Sequence, residues 1–315
     1  MIIFDAISTR FEETFGEKFG VNVPLGRFTS SRLGGPADMF VVVETAEELQ
    51  TAVSVAYNQN IPYLILGGGS NLLVADGGVR GLVILNKARA VRFRHNGSGV
   101  VCTVESGMNL SLLARQCITK GLGGLEWAIG VPGTVGGAVF GNAGAHGGDM
   151  AGNLLTAAIW RPGQGKVILS NEEMKFGYRT SLLKQHREAN LPRSAVLSVE
   201  LLLKPESVAT LTARADGFTA RRKETQPGGA TMGSMFKNPE HYYAGYLLEA
   251  AGLKGLTVGG ATISEKHANF FICDETATAE DVRALIAEAW HAVRDQFGVE
   301  LELEVELVGD WKFEE

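Results

Sequence analysis

The chain has 315 residues and a formal net charge of −6, with 45% of its residues hydrophobic and 20% charged. A chain of that length holds more than one ordinary core, and that balance excludes wholesale disorder. The one compact basic cluster, Arg221-Arg222-Lys223, is short for a nucleic-acid footprint, and no apolar run approaches the ~18 residues of a membrane span, so neither partner is expected.

At the N-terminus, Met1-Ile2-Ile3-Phe4-Asp5 offers no basic n-region and no cleavage site, which argues against a signal peptide. Residues 38–44 read as a strand, with Met39-Phe40-Val41-Val42-Val43 as an apolar run. Thr45-Ala46-Glu47-Glu48 then matches a capping box, and Leu49, Val53 and Tyr57 follow at helical spacing. Residues 62–66 predict the next strand, which enters Gly67-Gly68-Gly69-Ser70-Asn71, so the segment is a βαβ unit ending in a glycine turn. Further strands are expected at 82–85, 100–104, 156–160, 166–169 and 195–203, with a helix at 110–120 closed by Gly121. This mixture predicts an α+β fold.

A boundary falls near Lys204-Pro205. Beyond it the pattern predicts a polar helix over 207–223, a bent polar loop over 233–239, a helix over 244–251 stopped by Gly252, and a strand over 269–273. Thr278-Ala279-Glu280-Asp281 caps a long amphipathic helix with Val282, Leu285, Ile286, Ala289, Val293 and Phe297 on its apolar face and Gly298 as its stop. Residues 301–307 alternate apolar and acidic side chains, the pattern of an edge strand with one solvated side. Cys102, Cys117 and Cys273 are scattered and lack metal spacing, which fits buried thiols in a reducing cytoplasm.

Glycine is the compositional outlier, with 40 residues. In Gly67-Gly68-Gly69-Ser70-Asn71, consecutive N–H groups with serine and asparagine donors suit an anion such as a diphosphate. A plain glycine turn remains the alternative, because the spacing fits neither a dinucleotide fingerprint nor a Walker loop. The run from Gly130 to His146 is either a loop-rich packing region or, as favoured here, backbone laid against a large flat ligand. Tyr178-Arg179 joins an aromatic ring to a cation able to hold a carboxylate or phosphate, against the default of a surface salt bridge. His146, His186, His241 and His267 show no metal spacing, so no metal is expected. Ser234 sits in no G-x-S-x-G elbow, which disfavours an acyl-enzyme.

Seven segments occur in one order: Arg32-Leu33-Gly34-Gly35-Pro36-Ala37, residues 66–71, residues 130–145, Gly177-Tyr178-Arg179-Thr180-Ser181, residues 233–239, Lys266-His267-Ala268-Asn269-Phe270 and Leu303-Glu304-Val305. Together they resemble the UDP-N-acetylenolpyruvoylglucosamine reductase family, over about residues 29–309. The resemblance implies an FAD-binding region of the vanillyl-alcohol-oxidase (PCMH) type in two lobes, residues 1–72 and 73–204, then a C-terminal α+β substrate-binding domain, 205–315. The short, tyrosine-free stretch 182–195 resembles the loop-lacking, type II variant. The implied activity is NADPH-dependent reduction of a UDP-sugar enolpyruvyl ether through non-covalent FAD, in peptidoglycan precursor synthesis. A cytoplasmic monomer or weak oligomer is implied with it.

Carried over by motif, the catalytic residues are Arg179, Ser234 and Glu304. Flavin contacts fall on Gly67, Gly68, Gly69, Ser70 and Asn71 at the diphosphate, and on Pro132, Gly133, Gly136, Gly137, Asn142, Gly144 and Ala145 around the ring and ribityl chain. Substrate contacts fall on Tyr178, Arg222, Lys237 and Asn238. The family usually shows an arginine two places after the glutamate, where this chain has Glu306. Such a reaction puts a hydride on the β-carbon and a proton on the α-carbon, with negative charge growing into the carboxylate between the two. Arg179 suits that charge, Ser234 donates the proton, and like-charge repulsion beside the carboxylate would keep Glu304 protonated. An oxidase of the same fold is the runner-up, but the His or Cys that tethers FAD in many of them is missing between Leu64 and Asp76. A silent flavin- or nucleotide-sugar-binding module is disfavoured by the intact Arg179, Ser234 and Glu304.

Overall fold

Local capping and apolar periodicity fix most elements of the computed structural model, which describes residues 2–97, 99–190 and 193–311. Met1 lies outside the described residues, as do Leu191 and Pro192 within the short stretch 182–195. A helix that the pattern did not announce comes first, α1 (Ile2–Phe15). Phe11, fully buried, stacks on Phe15 and on Phe19, each at 5.9 Å. Next come β1 (Phe19–Pro24), β2 (Pro36–Val43), α2 (Ala46–Asn58) and β3 (Tyr63–Leu66). Thr45 Oγ1 accepts the Glu48 N–H at 3.1 Å, but the Glu48 carboxylate reaches back to the Glu44 N–H at 2.7 Å, so the box closes one residue early.

The chain continues through β4 (Leu72–Val74), β5 (Val79–Asn86), β6 (Val91–Asn96), β7 (Gly99–Glu105), α3 (Leu110–Thr119) and β8 (Leu122–Gly123). It then forms α4 (Val135–Gly141), β9 (Gly144–Ala145), β10 (Gly148–Asp149), β11 (Leu154–Arg161), β12 (Gly165–Ser170), α5 (Leu182–Glu188) and β13 (Ala195–Pro205). Last are α6 (Val208–Thr225), α7 (Ala244–Ala250), β14 (Thr257–Val258), β15 (Ala261–Ile263), β16 (Phe271–Cys273), α8 (Ala279–Phe297) and β17 (Glu306–Val308). A four-stranded sheet has the order β1-β2-β5-β3, in which β5 separates the two strands of the βαβ unit and runs parallel to β3. The largest sheet follows the path β12-β11-β13-β7-β6, antiparallel throughout, with β8 added to the end of β13. The class is α+β.

Two compact units result, one of residues 1–20, 40–68 and 82–221, the other of residues 21–39, 69–81 and 222–315. The first has its core between the large sheet and α3, around Cys102, Val104, Leu113, Val139, Ile159 and Leu201. The second packs α7 and α8 on β15 and β16, around Met235, Phe236, Leu248, Ile263, Phe271 and Leu285. On α8, Val282, Leu285, Ala289 and Val293 are fully buried, and each larger side chain among them contributes roughly 1.5–3 kcal/mol. Phe297 departs from the expected apolar face and is 40% exposed. All three cysteines are free and buried, and burial pushes the Cys273 thiol up to about 11. Among the described residues no helix is long and apolar enough to cross a membrane, and no His/Cys/Asp/Glu group could hold a metal ion.

The strand expected over 301–307 is a correction. Only residues 306–308 form a strand, parallel to β4. The N–H groups of Glu304 (2.9 Å) and Val305 (3.4 Å) converge on one acceptor, the Met235 carbonyl, and that convergence bends the chain.

Candidate functional site

In the first unit the glycine loop is held from behind. A Cβ on Gly67 would lie 2.4 Å from Thr134 Oγ1, and one on Gly68 would lie 2.9 Å from the Gly133 Cα. No side chain fits at those distances, so these glycines serve loop–loop contact. Thr134 also caps α4, accepting the Gly137 N–H at 3.4 Å. Gly136 backs onto Ser106, whose Cβ would be 3.0 Å from an added Cβ. Elsewhere on α4 the glycines face open space: an added Cβ on Gly137 would find only Thr134 Oγ1, at 3.7 Å, and one on Gly141 would find nothing within 4 Å. A cradle locked behind and bare of side chains in front fits a flavin dinucleotide. Gly67, Gly68, Pro132, Gly133 and Gly137 would hold FAD there through main-chain groups.

Asn142 ends α4 with φ of 43°, and its buried side chain ties three segments together. The amide donates to Asp149 Oδ2 (3.2 Å) and to the Gly177 carbonyl (2.9 Å), and the Oδ1 accepts from Ala151 N–H (3.0 Å). Gly144 pairs with Asp149 in the β9–β10 ladder beside Ala145. Both residues therefore have structural work of their own, which the sequence did not reveal.

That knot also anchors the Tyr-Arg turn. Gly177 and Thr180 exchange backbone hydrogen bonds of 3.1 and 3.3 Å. Between them Arg179 has φ of 55°, a left-handed conformation that costs an arginine roughly 1–3 kcal/mol. Its Nη2 donates to the Gly144 carbonyl at 3.1 Å, and its guanidinium carbon lies 5.4 Å from the centre of the Tyr178 ring. Tyr178 is 56% exposed. Ser181 donates to the Phe140 carbonyl at 2.6 Å and so fastens the turn to α4.

In the second unit Gly233 turns the chain with φ of 81° and delivers Ser234 into a narrow extended segment. Ser234 bridges Phe270 on one side, and Phe236 bridges Leu303 on the other. Glu304 donates its N–H to the Met235 carbonyl, next to Ser234. Asn71 pins the same bend: its Nδ2 donates to the Glu304 carbonyl and its own carbonyl accepts the Glu306 N–H, both at 3.0 Å. Gly69, with φ of 58°, packs on the Phe28 carbonyl, and its own carbonyl accepts both the N–H (3.0 Å) and the Oγ (3.1 Å) of Ser30. Ser70 is half-buried.

Lys237 is ion-paired with Glu302, its side chain 12% exposed. Asn238 accepts the Ala244 N–H at 3.1 Å, at the start of α7. Arg222, in the last turn of α6, is half-buried, and burial pulls its pKa below the usual arginine value. The candidate residues thus form two sets. Gly67, Gly68, the residues from Pro132 to Ala145, Tyr178 and Arg179 belong to the first unit. Gly69, Ser70, Asn71, Arg222, Ser234, Lys237, Asn238 and Glu304 belong to the second. The sequence pattern pointed to no role for Asn269, although it lies within Lys266-His267-Ala268-Asn269-Phe270. A carboxamide beside the apolar run Phe270-Phe271-Ile272 was the available signal.

A model of the C-terminal domain of UDP-N-acetylenolpyruvoylglucosamine reductase matches residues 225–308, and one of an FAD binding domain matches residues 37–168. The chain is 44% identical to the UDP-N-acetylenolpyruvoylglucosamine reductase of Moorella thermoacetica, over 92% of this chain and 93% of that protein. It is 42% identical to that of Anoxybacillus flavithermus, over 91% of this chain and 93% of the relative. The crystal structure of the UDP-N-acetylenolpyruvylglucosamine reductase from Thermus caldophilus superimposes with a TM-score of 0.76 at 36% identity, covering 92% of this chain and 98% of that one.

Proposed function

Since this chain belongs to the UDP-N-acetylenolpyruvoylglucosamine reductase family, we propose that Arg179, Ser234 and Glu304 carry its reaction. It is an FAD-dependent oxidoreductase that reduces UDP-N-acetylenolpyruvoylglucosamine in peptidoglycan precursor synthesis. FAD held by the glycine cradle, once reduced by NADPH, would supply the hydride that saturates the enolpyruvyl double bond.

The protein's own residues handle charge and the proton. Arg179 clamps the substrate carboxylate, into which negative charge spreads, and one donor aimed at such charge lowers a barrier by roughly 3–4 kcal/mol. Ser234 gives its hydroxyl proton to the α-carbon. Glu304, in its acid form, donates a hydrogen bond to the same carboxylate. Arg222 holds the UDP diphosphate, because a half-buried cation gains most from an anion. Lys237 is already paired with Glu302 and takes a lesser part there, while Asn238 and Tyr178 line the sugar and carboxylate ends. Residues 1–72 and 73–204 serve as the flavin lobes of a type II enzyme and 205–315 as the substrate domain. The protein acts in the cytoplasm, where nucleotide sugars and NADPH are made, as a monomer or weak oligomer.

One observation carries this reading: the Ser234 segment and the Glu304 bend are hydrogen-bonded neighbours, with Glu304 N–H on the Met235 carbonyl at 2.9 Å. Ser234→Ala is therefore expected to leave flavin reduction by NADPH intact while crippling re-oxidation by the enolpyruvyl sugar nucleotide. Re-oxidation of Ser234→Ala at the wild-type rate would remove the serine from the mechanism.

A further inference from the structure

Asn269 is 3% exposed and its side chain is wholly committed to main chain. Its Oδ1 accepts the Phe236 N–H at 2.9 Å and its Nδ2 donates to the Phe236 carbonyl at 2.8 Å. Its own carbonyl accepts the Met235 N–H at 2.8 Å. An ordinary antiparallel neighbour exchanges bonds with every second residue of the facing strand. Asn269 instead holds two successive residues from one position. With Glu304 on the Met235 carbonyl and the Glu302 carbonyl on the Lys237 N–H at 2.8 Å, every main-chain polar group from Met235 N to Lys237 N is bonded.

We infer that Asn269 is a positioning residue for proton transfer by Ser234, its carboxamide acting as a substitute strand that fixes the peptides next to the serine. This rests on the reading of Ser234 as the proton donor. Phe236 is 1% exposed, so water does not take over these bonds when the carboxamide is removed. The segment must then shift to satisfy its own N–H and C=O, and Ser234, two residues upstream, shifts with it. Both polar atoms of the carboxamide are occupied by Phe236, so Asn269 acts on geometry, and substrate affinity is not its target.

Stopped-flow measurements on the FAD-loaded enzyme separate reduction by NADPH from re-oxidation by the enolpyruvyl sugar nucleotide. Asn269→Leu is expected to slow re-oxidation at saturating substrate by roughly 10²-fold, the effect of a displacement of about 1 Å. Flavin reduction and the substrate Kd stay unchanged. In a Ser234→Ala background the same substitution is expected to add nothing further. Asn269→Asp keeps the shape and the acceptor but donates to the Phe236 carbonyl only while its carboxyl is protonated. Its re-oxidation rate relative to wild type is therefore expected to rise as pH falls, and this variant decides the question if Asn269→Leu does not fold. Equal slowing of both half-reactions, additive slowing in the double variant, or wild-type re-oxidation by Asn269→Asp at every pH would each overturn the proposal. Slow re-oxidation in Ser234→Ala with a normal rate in Asn269→Leu defeats this inference alone. A normal rate in Ser234→Ala defeats the proton-donor assignment and this inference with it.

Discussion

Replacing Gly137 by alanine tests whether the bare face of α4 belongs to the flavin. On the protein side the change is mild. The new methyl would meet only Thr134 Oγ1, at an ordinary 3.7 Å, and alanine is favoured over glycine inside a helix by roughly 0.5–1 kcal/mol. The apo-protein is therefore expected to melt higher, by roughly 1–4 °C. If the dinucleotide lies on that face, the methyl overpacks it at roughly 1–3 kcal/mol, which weakens FAD binding roughly 5- to 150-fold. At free FAD of about 100 times the wild-type Kd, the ligand stabilises wild type by ~2.7 kcal/mol and a tenfold weaker variant by only ~1.4 kcal/mol. Fluorescence titration of apo-protein, with melts in the presence and absence of FAD, reads both terms. The expected signature is a higher apo Tm with a smaller FAD increment. A raised Tm with unchanged FAD affinity refutes the assignment of this face. Gly68→Ala is the contrast, since its methyl would sit 2.9 Å from the Gly133 backbone and should destabilise the protein by roughly 1–3 kcal/mol without ligand.

Glu304→Gln should retain re-oxidation while Glu304→Ala loses it, and equal inactivity of the two variants excludes a neutral hydrogen-bond donor at that position. Glu302→Gln, which leaves the largely buried Lys237 ammonium without its carboxylate, should cost roughly 1–3 kcal/mol of stability and leave turnover intact, as read by melts and steady-state rates. Arg222→Ala should raise KM for the UDP-sugar far more than it lowers kcat. In Asp281 the desolvation that would raise the pKa is outweighed by hydrogen bonds from Thr278 and Gly260, so the carboxyl titrates below its ordinary value. Its contribution to stability is accordingly present at neutral pH and lost as pH falls below about 4. Asp281→Asn should flatten that part of the denaturant-unfolding profile.

Much of this was legible in the sequence because its causes are local. The caps Thr45 and Thr278, the stops Gly121 and Gly298, and the apolar face of α8 all act within a turn of their own helix. The run 301–307 misled because its alternation is real, while the bend at Glu304 is imposed by the Met235 carbonyl, some seventy positions away. Gly67 and Gly68 read as diphosphate contacts, and in the structure an added Cβ on either would meet Thr134 or Gly133. Asn142 read as a flavin contact, and the structure shows its side chain tying α4 to the Tyr-Arg turn. Nothing in the spacing of Asn269 revealed that its side chain takes the place of a strand. Such roles depend on partners that only the folded chain brings together.

The parallel pairing of β4 with β17 has a consequence for synthesis of the protein. Asn71 and Glu304 meet across 233 positions, and Asp76 caps α8 across 203. At ~5–20 residues per second on the ribosome, the strand Leu72-Leu73-Val74 waits roughly 12–47 s for its neighbour to be made. Throughout that interval an apolar strand edge stands open, the kind of surface that recruits chaperones or nucleates aggregation. Lesions in β17 should therefore appear first as lost yield of soluble protein, with the molecules that do mature turning over normally.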